Sequence, residues 1–402
     1  MKRSALILTG QFPPDIGGIG TIAEKIAEAL ASDGVEVTVL TSTGAVPEAD
    51  CGRRYRVRRG PGSLNRKFFK LVSMVWLAVV ELRRTGRGTT LIAMAWPHEG
   101  TVAYLVSRLL RISYAVVVHG SEITWHARGS VTLRLMQTIL GGAARVLANS
   151  RYTLRLASTY FADRGQAFVL NPCIGPVTLS DDNVRDNALE AKWELGGRRV
   201  LFTASRLTRR KGHAEVIRAL ALLRAEFPTL CYVFTGDGAY AAELQRTARD
   251  AGCEDMLRPV GRVNLETLDW LYRRCDLYVS PGSADDYDYE GFGISFLEAA
   301  VHGKVAVAGQ DGGVADAIVD GETGVLVNPQ ATEELAGTIR RLLRDDAARA
   351  EMGRRARRRA LDEFGLPAMT RRLREIDLPA SQHLAGADAP SVKITAPQSK
   401  HV

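Results

Sequence analysis

The sequence predicts an α/β protein built from two doubly wound, Rossmann-like domains that face each other across a central cleft. Two series of short apolar strands alternate with helical segments along the 402 residues, and a polar, proline-containing break separates the series near residues 171–187. Such alternation predicts parallel sheets that helices cover on both faces. The composition, 46% hydrophobic and 24% charged, is that of a globular protein able to bury large cores.

The first series predicts an N-terminal domain over residues 1–172. SALILT is an apolar strand, the next segment has apolar residues at helical spacing, and VEVTVL alternates as a strand does. The predicted strands span 4–9, 35–40, 89–95, 114–118 and 144–148, and the predicted helices span 21–32, 67–84, 99–110 and 131–141.

A linker is predicted at 173–187, where prolines, a glycine and the polar run DDNVRDN interrupt the pattern. A second domain follows at 188–365. Its predicted strands span 199–205, 230–236, 276–280, 304–309 and 324–328, and its predicted helices span 213–226, 239–251, 264–274, 293–302 and 332–346. A last helix within 366–378 is expected to cross back to the first domain, and the tail 379–402, which has no periodic apolar face, is predicted to be disordered.

Charge and cysteine usage narrow the class of partner. The net charge of +8 suggests an anionic partner, but neither basic cluster, at 53–59 or at 354–360, carries a nucleic-acid recognition pattern, so both are expected to be mainly solvated faces. The five cysteines form no C-x-x-C pair, which disfavours a zinc site or a disulfide framework. The first apolar run is too short for a signal peptide and no run is long enough to span a bilayer, so a cytoplasmic location is expected.

Candidate ligand-binding residues follow the strands of the first domain, because ligands of open α/β sheets bind at the carboxyl ends of strands. Gly17 and Gly18 precede the first helix and let the backbone approach a ligand, although a flexible turn explains them too. His119 ends a central strand, where histidines are commonly satisfied loop residues. Asn149 and Ser150 end the next strand, and they are equally suited to capping the following helix.

In the second domain, SRLTRRKGH follows the first strand. Arg206 and Lys211 flank a turn there, and two cations at a strand end suit a diphosphate, with a basic surface turn as the plain alternative.

Two further loops are weaker candidates. Gly236 and Gly238 belong to a G-x-G-x-x-A run after the next strand, but its place within the series does not fit a dinucleotide fingerprint, and chance glycine turns explain it equally well. Arg262 and Val263, in VGRV, follow another short strand and are candidates for contacts with a base.

The segment DYEGFGISFLEAA places two acids eight positions apart. Its glycines keep Glu290 in a loop, whereas Glu298 lies on the following helix, so the two acids are expected to contact opposite ends of an elongated ligand. The helix N-terminus between them offers free amides to phosphate, and a carboxylate suits paired ribose hydroxyls. The candidate residues of this segment are Glu290, Gly291, Phe292, Gly293, Ile294 and Glu298.

With these motifs in this order, the chain resembles the family-four glycosyltransferases of GT-B fold over about residues 4–378. The resemblance is carried by PPDIGGIG, HGSE, SRLTRRKG, GDG, VGRV, EGFGISFLE and GQDGGVADAIVDGETGVLV. Within the family it is most similar to actinobacterial mannosyltransferases that use GDP-mannose and act on phosphatidylinositol mannosides. The resemblance implies a retaining transferase that moves a hexose of mannose, glucose or N-acetylglucosamine type from a nucleotide-diphosphate sugar, GDP-mannose or a UDP-sugar, to a hydroxyl acceptor.

The resemblance also implies roles for the candidate residues. Arg206 and Lys211 would bind the diphosphate, Glu298 the ribose, Glu290 with the amides of Phe292 and Gly293 the donor sugar, and His119 would contact the sugar beside the anomeric carbon. The implied catalytic set is His119, Arg206, Lys211 and Glu290; the donor site adds Gly17, Gly18, Gly236, Gly238, Arg262, Val263, Gly291, Phe292, Gly293, Ile294 and Glu298; and the acceptor side has Gly18, Asn149 and Ser150. No metal and no other cofactor is expected, and Asp285–Asp286 are read as solvated acids.

The acceptor and the partners stay open at this point. The segment 66–84 is an apolar stretch between basic residues, which fits either a helix that docks on an anionic membrane surface or a covered sheet-packing helix. A lipid-linked acceptor and a small cyclitol or natural product are both consistent with the sequence. The rival functions are a nucleotide-sugar epimerase of the same fold and a non-catalytic nucleotide-sugar binder.

Overall fold

A computed structural model describes residues 3–15, 17–44, 50–60, 67–86, 88–126, 130–162, 164–175, 183–284 and 288–378. Part of the predicted linker (176–182), the acid pair Asp285–Asp286 and the predicted disordered tail (379–402) lie outside these residues.

The first domain contains a parallel sheet in the strand order β3-β2-β1-β4-β5-β6-β7. Its central strands are runs of buried, largely β-branched or aliphatic side chains, as expected where helices cover both faces of a sheet. The strands are β1 (Ser4–Thr9), β2 (Glu36–Thr41), β3 (Arg56–Arg59), β4 (Thr89–Ala93), β5 (Tyr114–Val118), β6 (Arg145–Ala148) and β7 (Ala167–Val169).

Helices pack on both faces of this sheet. They are α1 (Gly18–Ser32), α2 (Lys67–Thr85), α3 (Thr101–Leu110), α4 (Ser121–His126), α5 (Ser130–Gly142) and α6 (Arg151–Ala157), with a π-helical turn at Trp96–Gly100 ahead of α3. One core lies between the sheet and α2, α3 and α5, and the other lies beneath α1.

The second domain repeats this plan with the order β10-β9-β8-β11-β12-β13, again parallel throughout. Its strands are β8 (Arg199–Ala204), β9 (Leu230–Thr235), β10 (Leu257–Gly261), β11 (Leu277–Ser280), β12 (Ala306–Gly309) and β13 (Gly324–Val327). Its helices are α7 (Asn183–Lys192), α8 (His213–Leu223), α9 (Ala241–Asp250), α10 (Leu265–Arg274), α11 (Ile294–Val301), α12 (Val314–Ala317), α13 (Thr332–Arg344) and α14 (Asp346–Phe364). The predicted fold class, two parallel Rossmann-like sheets, is confirmed.

The last helix, α15 (Leu366–Ile376), belongs to the core of the first domain. Its buried residues Met369, Leu373 and Ile376 pack with α1 and with the first sheet. The last described helix therefore packs on the domain in which the chain begins.

Two segments differ from what the sequence pattern predicts. The basic cluster 53–59 is expected to be a solvated face, but Arg56–Arg59 form the edge strand β3, and Arg58 and Arg84 pair with the buried carboxylate of Glu81 on α2 at 3.1 and 2.8 Å. Glu81 neutralises these arginines, and the alternation of apolar and polar residues along the sequence does not predict such a buried counter-charge. The polar run expected to be linker is helical from Asn183, because Asp186 and Glu190 form ion pairs with arginines of α10.

The strand order locates the ligand-binding edges. The first strand of each domain has neighbours added on one side and then on the other, so the strand order reverses between β1 and β4 in the first domain and between β8 and β11 in the second. We call these two positions the reversal points. Ligands of doubly wound sheets bind outside the carboxyl ends of strands at such points. In the described part of the chain, no helix combines the length and the apolarity that crossing a bilayer requires.

Candidate active site

The two reversal points face each other and approach closely. A methyl group added at Gly18, where α1 begins, would lie 3.9 Å from the Ile294 Cδ1 atom at the start of α11. A methyl group added at Gly291 would overlap the carbonyl oxygen of His119 in the other domain. Glycine at position 291 therefore lets the lobes meet, and the two contacts bring four of the predicted site residues together.

A buried charge cluster lies at the heart of the second reversal point. Lys211 ends a short 3-10 turn after β8, and its ammonium group pairs with Glu290 Oε2. Arg210 Nη1 donates to the same oxygen at 3.1 Å, and Arg210 Nε pairs with Asp288 at 2.9 Å. The side chains of Lys211, Arg210 and Glu290 are 16%, 10% and 24% exposed, so all three charges are largely withdrawn from solvent.

The two cations determine the charge of Glu290. Burial alone would raise the pKa of this carboxyl, but the charges of Lys211 and Arg210 and their hydrogen bonds lower the pKa of Glu290 to about 2. Glu290 is therefore a carboxylate at neutral pH, and it is the counter-ion of the cationic turn in this structure.

Arg206 lies at the rim of the same turn. Its side chain is exposed and forms no ion pair with the described residues. Gly236 and Gly238 explain how its loop is held: an added methyl group at Gly236 would overlap Ser205 O, and one at Gly238 would overlap Leu207 O. The G-x-G run thus packs the β9–α9 turn onto the cationic loop, and the Leu207 amide donates to Asp237 O at 2.8 Å.

One ring nitrogen of His119 is anchored to the backbone, and the other is buried without a partner among the described residues. Its Nε2 lies 2.6 Å from Met94 O, a carbonyl that only accepts, so Nε2 carries the proton in the neutral ring. Nδ1 is then an acceptor, and it is buried without a hydrogen-bond partner among the described residues. A buried orphan acceptor at a strand end is the arrangement that a ligand hydroxyl completes.

Asn149 and Ser150 line the contact between the lobes. Asn149 Nδ2 donates to His119 O at 2.8 Å, and the Asn149 Oδ1 atom is buried without a partner among the described residues. Ser150 caps α6, since its Oγ accepts from the Thr153 amide at 3.1 Å. The capping alternative therefore holds for Ser150, whose side chain is fully buried against Gly313.

Glu298 lies one helical turn inside α11, and a hydrogen bond from the neighbouring helix α10 fixes its carboxylate. The Tyr272 hydroxyl on α10 donates to Glu298 Oε2 at 2.6 Å. Burial raises the pKa of Glu298, and the Tyr272 hydrogen bond and the charge of His302 oppose that rise. Glu290 and Glu298 therefore have opposite pKa shifts: the charges of Lys211 and Arg210 outweigh the effect of burial on Glu290, whereas burial outweighs the Tyr272 hydrogen bond and the His302 charge at Glu298.

The tip of α11 has the geometry of an anion site but no side-chain cap. Gly293 precedes the helix with φ of 88°, a conformation that favours glycine, and a larger residue would collide with the Phe296 ring. Phe292 is buried on Phe364, with ring centroids 5.5 Å apart, which fixes the loop against α14. The first amides of α11 thus lie beside the Glu290 cluster and across from Gly18.

Several site residues were not singled out from the sequence. Arg210 lies between the two predicted cations of its turn, and it is the most buried cation of the cluster. Gly312 and Gly313 hold the Glu290 loop, because the Gly313 amide donates to Glu290 O at 2.7 Å and a methyl at Gly312 would approach the same oxygen at 2.5 Å. Asp316 spans the lobes. The run GQDGGVADA contained the signal for the last three, as a glycine pair with an acid after a strand.

The remaining candidates lie at the edge of the site. Arg262 is exposed and pairs with Asp237 at 2.7 Å, while Val263 is partly buried against a hydrophobic core of the second domain. Gly17 is extended and lies against the Gln11 side chain. Within the residues that the structure describes, no group of three or more His, Cys, Asp or Glu side chains is placed to hold a metal ion.

Two families match this chain, and together they cover most of it. Residues 185–359 match the family described as Glycosyl transferases group 1, and residues 17–173 match the Glycosyl transferase 4-like domain. The boundary between the two matches falls between the two sheets.

Full-length relatives agree with these matches. A GDP-mannose-dependent alpha-(1-6)-phosphatidylinositol monomannoside mannosyltransferase of Mycolicibacterium smegmatis is 28% identical over 380 residues, which is 92% of this chain and 97% of the relative. A D-inositol 3-phosphate glycosyltransferase of Arthrobacter sp. is 30% identical over 376 residues, which is 85% of each chain.

Solved structures share the fold. The Anabaena protein HepE in complex with UDP-glucose superposes with a TM-score of 0.76 at 20% identity, over 92% of this chain and 98% of that one. Sucrose-phosphate synthase of Thermosynechococcus elongatus gives 0.75 at 21% identity, over 93% and 98%.

Proposed function

The chain belongs to the group 1 glycosyltransferase family and is a glycosyltransferase, and from that premise we propose that it is a retaining hexosyltransferase. It takes the hexose from a nucleotide-diphosphate sugar held between the two lobes and transfers it to a hydroxyl group of an inositol-containing acceptor. No metal ion takes part in this proposal.

One observation carries the proposal: a cationic turn and a helix tip converge at the reversal point of the second sheet. Lys211 and Arg210 are largely buried, and they are adjacent to the uncapped amides at the start of α11. Buried cations and helix N-terminal amides are the groups that stabilise a diphosphate, and most strongly so as it gains charge on leaving. Arg206, exposed at the rim, completes a set of three cations for that leaving group.

The other candidate residues are proposed to bind different parts of the nucleotide-sugar donor. Glu298 suits the ribose hydroxyls, and Glu290 with the amides of Phe292 and Gly293 suits the sugar hydroxyls. His119 Nδ1 is an unpaired acceptor among the described residues, and it would receive a hydrogen bond from the sugar near the anomeric carbon. Glu290 then has two tasks, since its carboxylate also screens Lys211 and Arg210 from each other.

Retention is proposed to follow from attack on the face that the nucleotide leaves. The leaving phosphate takes the proton of the acceptor hydroxyl, so no protein base is needed. Rate enhancement then comes from stabilising the departing diphosphate and from positioning by the closed lobes.

The proposed donor and acceptor rest on the relatives. GDP-mannose is the first candidate donor because the mycobacterial relative is GDP-mannose-dependent, and UDP-sugars are the second. Both curated relatives named above act on inositol compounds, one carried on a lipid and one a phosphate. The proposed acceptor class is therefore an inositol hydroxyl.

A membrane surface is proposed as a partner on the evidence of α2. Val72, Trp76 and Val80 repeat every four residues on its outer face and are 49%, 63% and 38% exposed. The opposite face is buried in the first core, so α2 packs on the sheet and also presents an apolar stripe. Arg83 and Arg108 are exposed on α2 and on its neighbour α3, which fits a peripheral site on an anionic membrane facing the cytoplasm.

The test is a donor and acceptor screen on the purified protein. Thermal shift with GDP, UDP and ADP and their sugars identifies the nucleotide, because a ligand stabilises the state that binds it. Incubation with the selected donor and with inositol phosphate or phosphatidylinositol, followed by mass spectrometry, is expected to give a hexose adduct. NMR of the adduct is expected to show the anomeric configuration of the donor, and an inverted product would exclude retention.

The same incubation without acceptor distinguishes an epimerase, which would convert the donor on its own. Donor binding without any transfer or conversion would favour a non-catalytic binder. Each outcome therefore identifies one of the three functions.

A further inference from the structure

His302 lies directly behind the second acid of the site. It is the residue after α11, and its side chain is 4% exposed. Its Nδ1 lies 2.6 Å from the backbone carbonyl of Glu298, and its Nε2 lies 2.8 Å from Asp269 Oδ1 on α10. Both ring nitrogens therefore face oxygens that accept hydrogen bonds.

These two contacts define the protonation state of the ring. A carbonyl oxygen cannot donate, and Arg273 Nε donates to the other oxygen of Asp269 at 3.1 Å, so Asp269 accepts hydrogen bonds on both oxygens. A neutral imidazole has a single N–H and satisfies one of these acceptors, whereas the imidazolium satisfies both. The geometry therefore corresponds to a positively charged His302.

Two contacts connect the His302 ring to Glu298. The backbone hydrogen bond fixes the helical turn that carries Glu298. The imidazole also stacks on Tyr272, with ring centroids 5.4 Å apart and planes at 16°, and the Tyr272 hydroxyl is the donor to Glu298. A cation at the C-terminus of α11 also interacts favourably with the helix dipole.

We propose that His302 is a positioning residue for the nucleotide: as an imidazolium it holds Glu298 charged and in place, so that nucleotide affinity depends on the protonation of His302. This inference rests on the proposed function, in which Glu298 binds the ribose.

The sign of the pH dependence follows from the charged groups around the ring. Asp269, Tyr272 and Arg273 face it from α10, and Glu298 faces it from α11, while Asp186 on α7 pairs with Arg273 at 3.2 Å. When pH rises and His302 loses a proton, one hydrogen bond breaks and Glu298 loses its nearby positive charge, so affinity falls. When pH falls far enough to protonate Glu298, affinity falls again. Nucleotide affinity is therefore highest at an intermediate pH.

The experiment is calorimetric titration of the full chain with GDP and with UDP between about pH 5 and about pH 9, the range in which histidine titrates. His302→Gln keeps an amide donor and removes the charge. It is expected to bind the preferred nucleotide about three- to tenfold more weakly than the wild type at the low-pH side of neutrality, with the difference vanishing at high pH. The alkaline decline of affinity disappears in the variant.

Two controls separate the outcomes. Glu298→Ala tests the proposed function, since unchanged affinity in that variant removes the ribose role itself. If Glu298→Ala loses affinity but His302→Gln keeps the wild-type pH profile, the inference about His302 alone is overturned. Nitrogen-15 NMR of the histidine rings gives a readout other than affinity, with the His302 signals identified by their loss in His302→Gln: two protonated ring nitrogens at neutral pH support the inference, and a single one contradicts it.

Discussion

Arg151 and Asp316 join the two lobes at two points. The backbone amide of Arg151 donates to Asp316 Oδ2 at 2.8 Å, and its guanidinium Nε donates to Oδ1 at 2.9 Å. Asn171 Nδ2 adds a third bond to the carboxylate at 3.2 Å, and Arg359 donates to the Asp316 carbonyl at 2.9 Å. The buried Asp316 carboxylate, on α12 of the second domain, therefore accepts a hydrogen bond from the first amide of α6 in the first domain. Asp316 lies three residues after Gly313, whose amide donates to Glu290 O.

Asp316→Ala is expected to weaken the closed arrangement of the lobes. The substitution leaves the Arg151 amide and Asn171 without their acceptor, a loss of about 1–3 kcal/mol, so turnover should fall by about fivefold or more. The measurement is steady-state kinetics together with small-angle X-ray scattering in the presence of the nucleotide sugar. Asp362→Ala, an exposed acid on α14, is the matched control. Wild-type turnover and an unchanged scattering profile in Asp316→Ala would show that the contact has no part in closure.

Gly291→Ala is expected to prevent the lobes from meeting while each of them still folds. The added methyl group would overlap His119 O and approach Asn149 Nδ2 at 2.8 Å. Such overpacking costs about 1–3 kcal/mol, and activity should drop by about tenfold or more. Gly337→Ala is the control, because that glycine lies within α13 with nothing within 4 Å, and it should leave activity unchanged and stability equal or higher.

Substitutions in the cationic turn are expected to lower turnover according to the role and burial of the cation that is removed. Lys211→Met should reduce turnover by about 100-fold or more, as expected for one group that stabilises the leaving charge. Arg210→Met should also reduce turnover, because Arg210 is more buried than Lys211 and shares the same carboxylate oxygen. Arg209→Met, one position earlier and exposed, is the control. Equal activity of the three variants in a radiolabel transfer assay would refute the assignment of Lys211 and Arg210 to the diphosphate.

The sequence predicts which strands and loops carry the candidate site residues, but it does not predict which of those residues contact one another. Strand ends, glycines and acids predict that Lys211, Glu290, Glu298 and His119 lie around one cleft, because parallel strands end at a common edge. Sequence spacing does not tell that Glu290 neutralises Lys211 and Arg210, or that Asp316 reaches across the lobes. Such contacts join residues about 80 and 165 positions apart, as the pairs 210–290 and 151–316 show, and only the packed structure determines them.

The pH dependence of stability should reveal the Glu290 cluster. The pKa of Glu290 is lowered to about 2, below its unfolded value, so its stabilising contribution is present above about pH 4.3 and is lost as pH falls toward about 2. Because the side chain is still 24% exposed, the contribution is expected to be only about 1–2 kcal/mol. Urea unfolding should show Glu290→Gln less stable than the wild type at pH 6, with the difference shrinking on acidification. A difference independent of pH would contradict this electrostatic origin.

The exposed stripe of α2 makes the membrane proposal testable at a single residue. Trp76 is 63% exposed at the centre of the stripe formed by Val72, Trp76 and Val80, so Trp76→Glu should abolish insertion into the interface and repel anionic headgroups. Flotation with vesicles of phosphatidylcholine and phosphatidylinositol at low salt should recover the wild type and at least about tenfold less of the variant. Leu265→Glu replaces a still more exposed apolar residue, 78% exposed, on α10 of the second domain and should float as the wild type does. If the wild type itself stays with the soluble fraction, or if both variants float equally well, α2 is not a membrane-docking helix, and its exposed stripe needs another explanation.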